Sequence, residues 1–313
     1  MGLITLEGPT TSIDFDLPPS PAIPPTHRTL MRRAKAAPPM GFGHSVSKRI
    51  KWTGHFTLGL VALFCVFPIA WMFFTSFRPP NDFFTSGLIP KGFSLSNYSE
   101  AIHGLPIWML LEHTVTIAVS VSVGSLLIAL FAAYSFARFN FKGQNLLFLL
   151  FIGSWLVPFQ VTMLPNYVML FHLGLLNSLI GIIVPQLSSA FAVMLLRQHL
   201  KAFPTELFEA ARLDDLSAWK TLWKVVVPNL GPALAALEIL LFVSVWNEYF
   251  WPLLVYRTPN SVIQLGIQGF LNSVSVNYGA LMAASALATL PILGLYALLQ
   301  RRLINAFVRS GLK

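Results

Sequence analysis

Charge is what this chain has least of. Asp, Glu, Lys and Arg make up 11 % of its 313 residues, whereas a soluble domain carries about 25 %. Much of its surface therefore does not face water, and a mean hydropathy of +0.67 agrees. The single cysteine, Cys65, lies in an apolar run; it excludes an intramolecular disulfide and reads as a small packing residue. The histidines His103, His113, His172 and His199 are scattered without the spacing of a metal site. Glu112 and His113 are adjacent, so on a helix they point apart. No nucleophile, base and orienting group converge in the sequence, which argues against an intramembrane enzyme. No G-x-x-x-x-G-K-[ST] run occurs, Gly41 to Lys48 included, so the chain is not expected to bind or hydrolyse ATP itself. Residues 1–53 hold no apolar signal-peptide core after Met1-Gly2-Leu3-Ile4, and Gly2 lacks the downstream hydroxyl residue of a myristoylation site.

What the chain does have is apolar runs of membrane-spanning length. A helix needs about 20 residues to cross roughly 30 Å of hydrocarbon. Six stretches qualify, at 54–77, 112–136, 145–170, 176–197, 229–255 and 279–300. This predicts an all-α integral membrane protein with six transmembrane helices over residues 54–313. Pro68, Pro158, Pro165, Pro185 and Pro291 fall within the spans, where kinks for packing or bent helices around a pathway are both open readings. Ahead of them, residues 1–53 carry prolines at 9, 18, 19, 21, 24, 25, 38 and 39. Such a segment buries too little apolar area to offset its ordering entropy and is expected to be a disordered tail.

Charge placement sets the expected orientation. With the N-terminus in the cytoplasm, 18 of the 21 Lys and Arg residues lie on the inner side; Arg78, Lys91 and Arg257 lie outside. Both termini are then cytoplasmic, and the net charge of +9 is a topology signal. No nucleic-acid partner is needed to explain it. Ser120 with Gly124, and the stripe Ala280, Ala284 and Ala288 with Ala283 and Ala286 nearby, allow close helix approach. Packing within the chain and packing on a partner look the same at this level.

The loop between the fourth and fifth stretches, at 201–228, is more than a connector. Pro204 suits a first helical turn, and Glu206 and Glu209 follow at its positive end. Leu207, Phe208 and Ala211 give this helix an apolar side, and Asp214-Asp215 end the pattern. Ser217 suits the N-cap of a second helix, in which Trp219, Leu222, Trp223 and Val226 share one face. Pro228 marks the return to the membrane. An exposed apolar face here fits membrane lipid or a protein groove, and the carboxylates favour protein.

The run EAARLDDLSAWKTLWKVVVPNLGP resembles the EAA motif of ABC importer permeases, with Glu209, Ala210, Ala211, Asp214 and Pro228 in register. TSFRPP at 75–80, NY at 97–98, YSFARFNFKG at 134–143, LPNYVMLFHLGLLNS at 164–178, WNEYFWPLL at 246–254 and LLQRRLINAFVRSGLK at 298–313 fall in the family's order. The pattern is similar to the carbohydrate-uptake branch, the maltose-transporter-like second permease, and covers the chain from about residue 55. The resemblance implies a type I importer fold and import of a sugar or related polyol. It implies as partners a homologous second permease, two ATPase subunits that bind ATP and Mg, and a solute-binding protein. Glu209, Ala210, Ala211, Asp214, Asp215, Trp219, Leu222 and Trp223 would form the ATPase-coupling element. Asp215 stands where the family has glycine, which implies a stiffer turn, and the chain ends at Gly311-Leu312-Lys313 where relatives commonly continue, which implies a shortened contact with the ATPase pair.

Within the fifth stretch, Glu238 and Glu248 are expensive to leave in hydrocarbon and should face protein or water. Trp246, Asn247 and Glu248 could line a sugar path, with an aromatic plane for a sugar face and polar groups for hydroxyls; anchoring within the bundle is the other reading. Gln186, with Ser188, Ser189 and Asn177, is a further pathway candidate, and Glu238 is expected to pair with the partner permease. An ion-coupled secondary transporter is the alternative, and would more often show ten or more spans and internal repeats.

Overall fold

Every backbone N–H and C=O that enters hydrocarbon must find a partner within the protein, and a helix provides one for each residue. The computed structural model describes residues 48–79, 92–256, 261–271 and 277–310, with side chains over 52–300 of these; among them there is no strand. The expected tail, the outer-loop stations Pro80–Lys91 and Arg257–Asn260, and the last three residues lie outside the described residues, except that helix begins at Lys48. The chain divides into two compact units, residues 1–62 and 63–313. Of the first, the described part is regular helix, in which Thr57 Oγ1 donates to the Thr53 carbonyl at 2.8 Å.

The helices run in the order α1 (Lys48–Ser76), α2 (Ser96–Gly104), α3 (Ile107–Arg138), α4 (Gln144–Trp155) and α5 (Phe159–His172). Then come α6 (Leu179–Ile183), which tightens into a 3₁₀ turn over Val184–Gln186, α7 (Ala190–Lys201) and α8 (Thr205–Leu213). Next are α9 (Ala218–Thr221), a π turn over Leu222–Val226 and α10 (Val227–Trp246), and the order ends with α11 (Phe250–Val255), α12 (Ile263–Gly269) and α13 (Tyr278–Ser310).

By length and composition, four helices can cross a membrane singly: Trp52–Ser76, Ile107–Arg138, Ala218–Trp246 and Tyr278–Gln300. Counting each of two bent pairs as one span brings the number to six. The stretch expected as one span at 145–170 is α4 and α5, turned by 95° on each other, and that at 176–197 is α6 with its 3₁₀ turn and α7, turned by 42°. Pro158 sits at the first break, with φ −58° and ψ 136°, because proline disfavours helix in its predecessor and supplies no N–H to continue one. Pro185 lies in the 3₁₀ turn before the second. The expected span 229–255 also differs: α10 stops at Trp246, and α11 is a separate short helix.

α3 is the hub. Its Ala129, Leu130, Ala133 and Tyr134 pack on Val193 and Leu196 of α7, Phe208 of α8, and Val226 and Leu237. At its other end Ile107, Leu110 and Ala118 meet Phe242, Trp246 and the alanines of α13. Between these, Ile117 and Val121 pack with Met163, Ile182 and Trp251. The alanine stripe is therefore intrachain packing: Ala280, Ala283 and Ala284 are fully buried against Ala101, Phe242 and Trp246. Gly124 leaves no room for a Cβ beside the Leu187 side chain, so the second and fourth stretches touch there. Glu238 finds a partner within the chain, accepting from Ser122 Oγ at 2.7 Å across α3 and α10. By contrast α4 buries none of its residues, and Leu146, Leu147, Leu149 and Leu150 present a surface suited to hydrocarbon.

The segment after α1 is pinned rather than loose. Asn97 Nδ2 donates to the Ser76 carbonyl at 3.0 Å and to the Arg78 carbonyl at 2.7 Å, and Arg78 lies buried with its guanidinium over Trp71. Gly279, in the first turn of α13, packs directly on the Asn97 amide, and a Cβ there would fall inside van der Waals contact. Gly279→Ala should displace Asn97, break both bonds and cost about 2 kcal/mol. A lowered thermal midpoint of the purified protein, compared with Gly231→Ala where a Cβ meets nothing, checks this.

Candidate functional site

Two features stand out at opposite ends of α10. The first is the knob formed by α8 and α9. Phe208 and Ala211 turn inward and are 3 % exposed, while Glu206, Glu209, Ala210 and Leu213 fall at i, i+3, i+4 and i+7 and face outward. Leu213 is 87 % exposed at the tip. The helix ends in a Schellman motif: the Leu216 N–H donates to the Ala211 carbonyl at 3.0 Å and the Asp215 N–H to the Arg212 carbonyl at 3.1 Å. Asp215 itself is left-handed, with φ 51°, in the conformation that glycine adopts at least cost. Asp214 is the helical C-cap before it.

The knob then re-enters the bundle without a gap. Ser217 Oγ accepts from the Lys220 N–H and caps α9. α9 continues through the π turn into α10, so Pro228 does not mark a separate return to the membrane. Proline has no N–H to give a normal i→i−4 bond, and the π turn just before it redirects the ladder. Leu222 and Val226 are buried against α3. Trp219 and Trp223 sit on the Phe131 ring of α3, with centroids 5.6 and 6.3 Å away. Of the eight residues expected in the coupling element, Glu209, Ala210, Asp214 and Asp215 are thus on the open face or at the tip, whereas Ala211 and Leu222 are core and the two tryptophans lie along α3.

The second feature is a cavity of about 430 Å³, within the usual range for small-molecule sites. Three interrupted elements meet there. Trp155, Phe159 and Gln160 come from the α4–α5 break, Pro185, Gln186, Ser188, Ser189 and Ala190 from the α6–α7 break, and Leu241, Ser244, Val245 and Glu248 from the end of α10. Ser189 Oγ caps α7 by accepting from the Ala192 N–H, and Glu248 Oε1 accepts from the Phe250 and Trp251 N–H groups at 2.8 and 3.0 Å. Val121 and Ser125 of α3 close the wall, with Ser125 Oγ donating to the Gln186 carbonyl at 3.2 Å. Hydroxyls, two amides, one carboxylate and two aromatic rings make a lining suited to a polyhydroxylated molecule.

Glu248 and Gln186 are therefore cavity residues, with Ser188 and Ser189 beside them. Trp246 is not: it is 2 % exposed, stacked on Phe242 in the core. Asn247 is exposed and bonds the Val243 carbonyl through Nδ2 at 2.8 Å, away from the lining. Asn177, with φ 57°, donates its N–H to the Val255 carbonyl and shapes a turn. The sequence reading missed Trp155, Phe159, Gln160, Ser244 and Ser125. Pro158 was the available signal, since a break in a span exposes the residues flanking it.

Comparison with known proteins places the chain in a family. The family described as the inner membrane component of binding-protein-dependent transport systems matches residues 125–308. The arabinooligosaccharides transport system permease protein of Halalkalibacterium halodurans is 31 % identical over 273 residues, covering 84 % of this chain and 97 % of that protein. The lactose transport system permease protein of Rhizobium radiobacter is 30 % identical, covering 81 % and 93 %. The sn-glycerol-3-phosphate transport system permease protein of Rhizobium meliloti is 29 % identical, covering 82 % and 95 %. A chain from the crystal structure of a bacterial ABC transporter that imports the acidic polysaccharide alginate superposes with a TM-score of 0.72 at 23 % identity, over 83 % of this chain and 98 % of that one. That likeness establishes a shared fold.

The left-handed turn at the tip gives a ranked prediction. Asp215→Gly should raise the thermal midpoint of the purified protein and Asp215→Val should lower it, each by the equivalent of about 1 kcal/mol. Equal midpoints for all three would mean that the turn relaxes out of its left-handed form.

Proposed function

We propose a mechanism that proceeds from one premise: the chain belongs to the family of inner membrane components of binding-protein-dependent transport systems. In it, this chain is a permease subunit of an ATP-binding-cassette importer and carries a sugar or related polyol across the cell membrane. The relatives' oligosaccharide and lactose systems support that cargo class, as do the hydroxyl, amide and aromatic groups around the 430 Å³ cavity. A homologous second permease completes the pathway, a solute-binding protein delivers cargo outside, and ATP is hydrolysed on two partner ATPase subunits. Both termini and the knob lie in the cytoplasm, the side favoured by the placement of Lys and Arg.

The observation that carries the reading is the continuity of the helix from Ala218 to Trp246. At one end it holds the exposed stripe Glu206, Glu209, Ala210 and Leu213 through the capped turn at 214–217. At the other it supplies Leu241, Ser244 and Val245 to the cavity wall. The ATPase grips the stripe, Glu209 makes the charged contact, and closure of the ATPase pair moves the knob as a unit. A helix of this length transmits that displacement over roughly 40 Å to the cavity. There the three breaks let neighbouring segments shift without exposing unpaired backbone to lipid.

Glu209→Arg should reduce binding-protein-stimulated ATP hydrolysis by the assembled complex about tenfold, the equivalent of one lost charge-assisted hydrogen bond, with the chain still in the membrane. A screen of sugars for stimulation of that hydrolysis identifies the cargo. Unimpaired uptake after deletion of residues 209–223 would overturn the coupling assignment.

A further inference from the structure

Beside the knob, on the α3 side, lies a smaller cavity of about 150 Å³ that the transport mechanism does not use. Its lining includes Tyr134 and Arg138 of α3, Phe208 and Arg212 of α8, and Ala218 and Thr221 of α9. Among its lining residues there is no Asp or Glu, so the carboxylates of the knob lie outside it. Both arginines line this one small space. Arg138 is held in place from one side by the Phe208 ring, 3.3 Å from its Cζ, which leaves its N–H edge free to bond. Tyr134 is oriented by donating its hydroxyl to the Ala218 carbonyl at 3.1 Å. Two cations around one small space, with no anion among the residues that line it, form a site for a tetrahedral oxyanion; arginine suits phosphate because its planar fork bonds two oxygens at once.

The surroundings indicate the source of the phosphate. Phe131, Tyr134 and Arg138 lie on one face of α3 at i, i+3 and i+7. Arg138 is the last residue of the span, and Phe131 lies about 10 Å nearer its middle. Trp219 stacks on Phe131 and is 61 % exposed, with Trp223 edge-on to both. Ascending this face from the bilayer, the order is an aromatic cluster, a phenol hydroxyl and then a pair of arginines. Aromatic side chains of this kind settle at the membrane interface, and basic residues just beyond a span attract anionic headgroups.

We propose that Arg138 and Arg212 form a phosphate-binding site, occupied by the headgroup of an anionic phospholipid whose glycerol and upper acyl region lie on Trp219, Trp223 and Phe131. The lipid would brace the root of the knob against α3. The inference rests on the chain spanning a membrane, and lipid retention is read independently of uptake, so loss of transport with lipid binding intact would count against the coupling mechanism alone.

The test uses the complete complex, purified in detergent and titrated separately with phosphatidylglycerol, phosphatidylcholine and inorganic phosphate, with bound lipid counted by native mass spectrometry. Phosphatidylglycerol should be retained over phosphatidylcholine, Arg138→Gln and Arg212→Gln should each weaken its retention about fivefold, and the paired lysine variants should keep most of it. Trp219→Ala should weaken retention of phosphatidylglycerol and leave protection by inorganic phosphate unchanged. Equal retention of the two lipids by the unaltered complex, a reading that needs no variant to fold, would overturn the proposal. So would equal phosphatidylglycerol retention with and without the arginines. Stabilisation by inorganic phosphate without any by phosphatidylglycerol would overturn the lipid assignment.

Discussion

The constraint on which this structure depends is that hydrocarbon offers a peptide group no hydrogen-bond partner. A span can be interrupted only where protein or water takes over the pairing. Among the described residues, interruptions after Trp155, after Gln186 and after Trp246 all border one cavity. Side chains complete part of the pairing: Ser189 caps α7 and Glu248 caps α11. The same carboxylate that would be costly in lipid is thereby useful at a break. The cavity is polar because the breaks need polar neighbours, and the breaks are tolerated because the cavity is there.

The outer surface of the bundle follows the opposite rule. α4 shows leucines outward with nothing polar among them, whereas α3 buries one face and touches all three apolar clusters. Alanines in α13 and glycines at 124 and 279 let helices approach where large side chains would hold them apart. Van der Waals packing of this kind is the main cohesive force between helices that lipid surrounds.

The knob is built for stiffness. A Schellman cap, a left-handed aspartate, a serine N-cap and an aromatic stack on α3 each remove a degree of freedom between its exposed stripe and the long helix behind it. A flexible connector of the same length would absorb a push. A capped pair of helices continuous with a span passes it on. In the proposed mechanism, the knob and the cavity, at the two ends of one helix, act as parts of a single device.

Much of this was legible in the chain itself. Length and apolarity of the runs, Pro204 and Ser217 as helix starts, and the amphipathic period of 205–213 depend on local chemistry, and each has its counterpart in the structure. Family membership was legible too, through the ordered motifs around Glu209. What local pattern could not decide was which way a residue at a helix end would point. Trp246 and Glu248 are two residues apart, yet one is core and the other borders the cavity, because α10 stops between them and the chain turns. Trp155 and Phe159 became wall residues only when α4 and α5 folded back at 95°. The sequence alone determined that the chain is helical, apolar and built to span a membrane, since those properties arise from neighbours within a few residues. The cavity, the pairing of Glu238 with Ser122 and the meeting of Arg138 with Arg212 were decided by tertiary structure, because each joins residues far apart in the chain that only helix packing brings into reach.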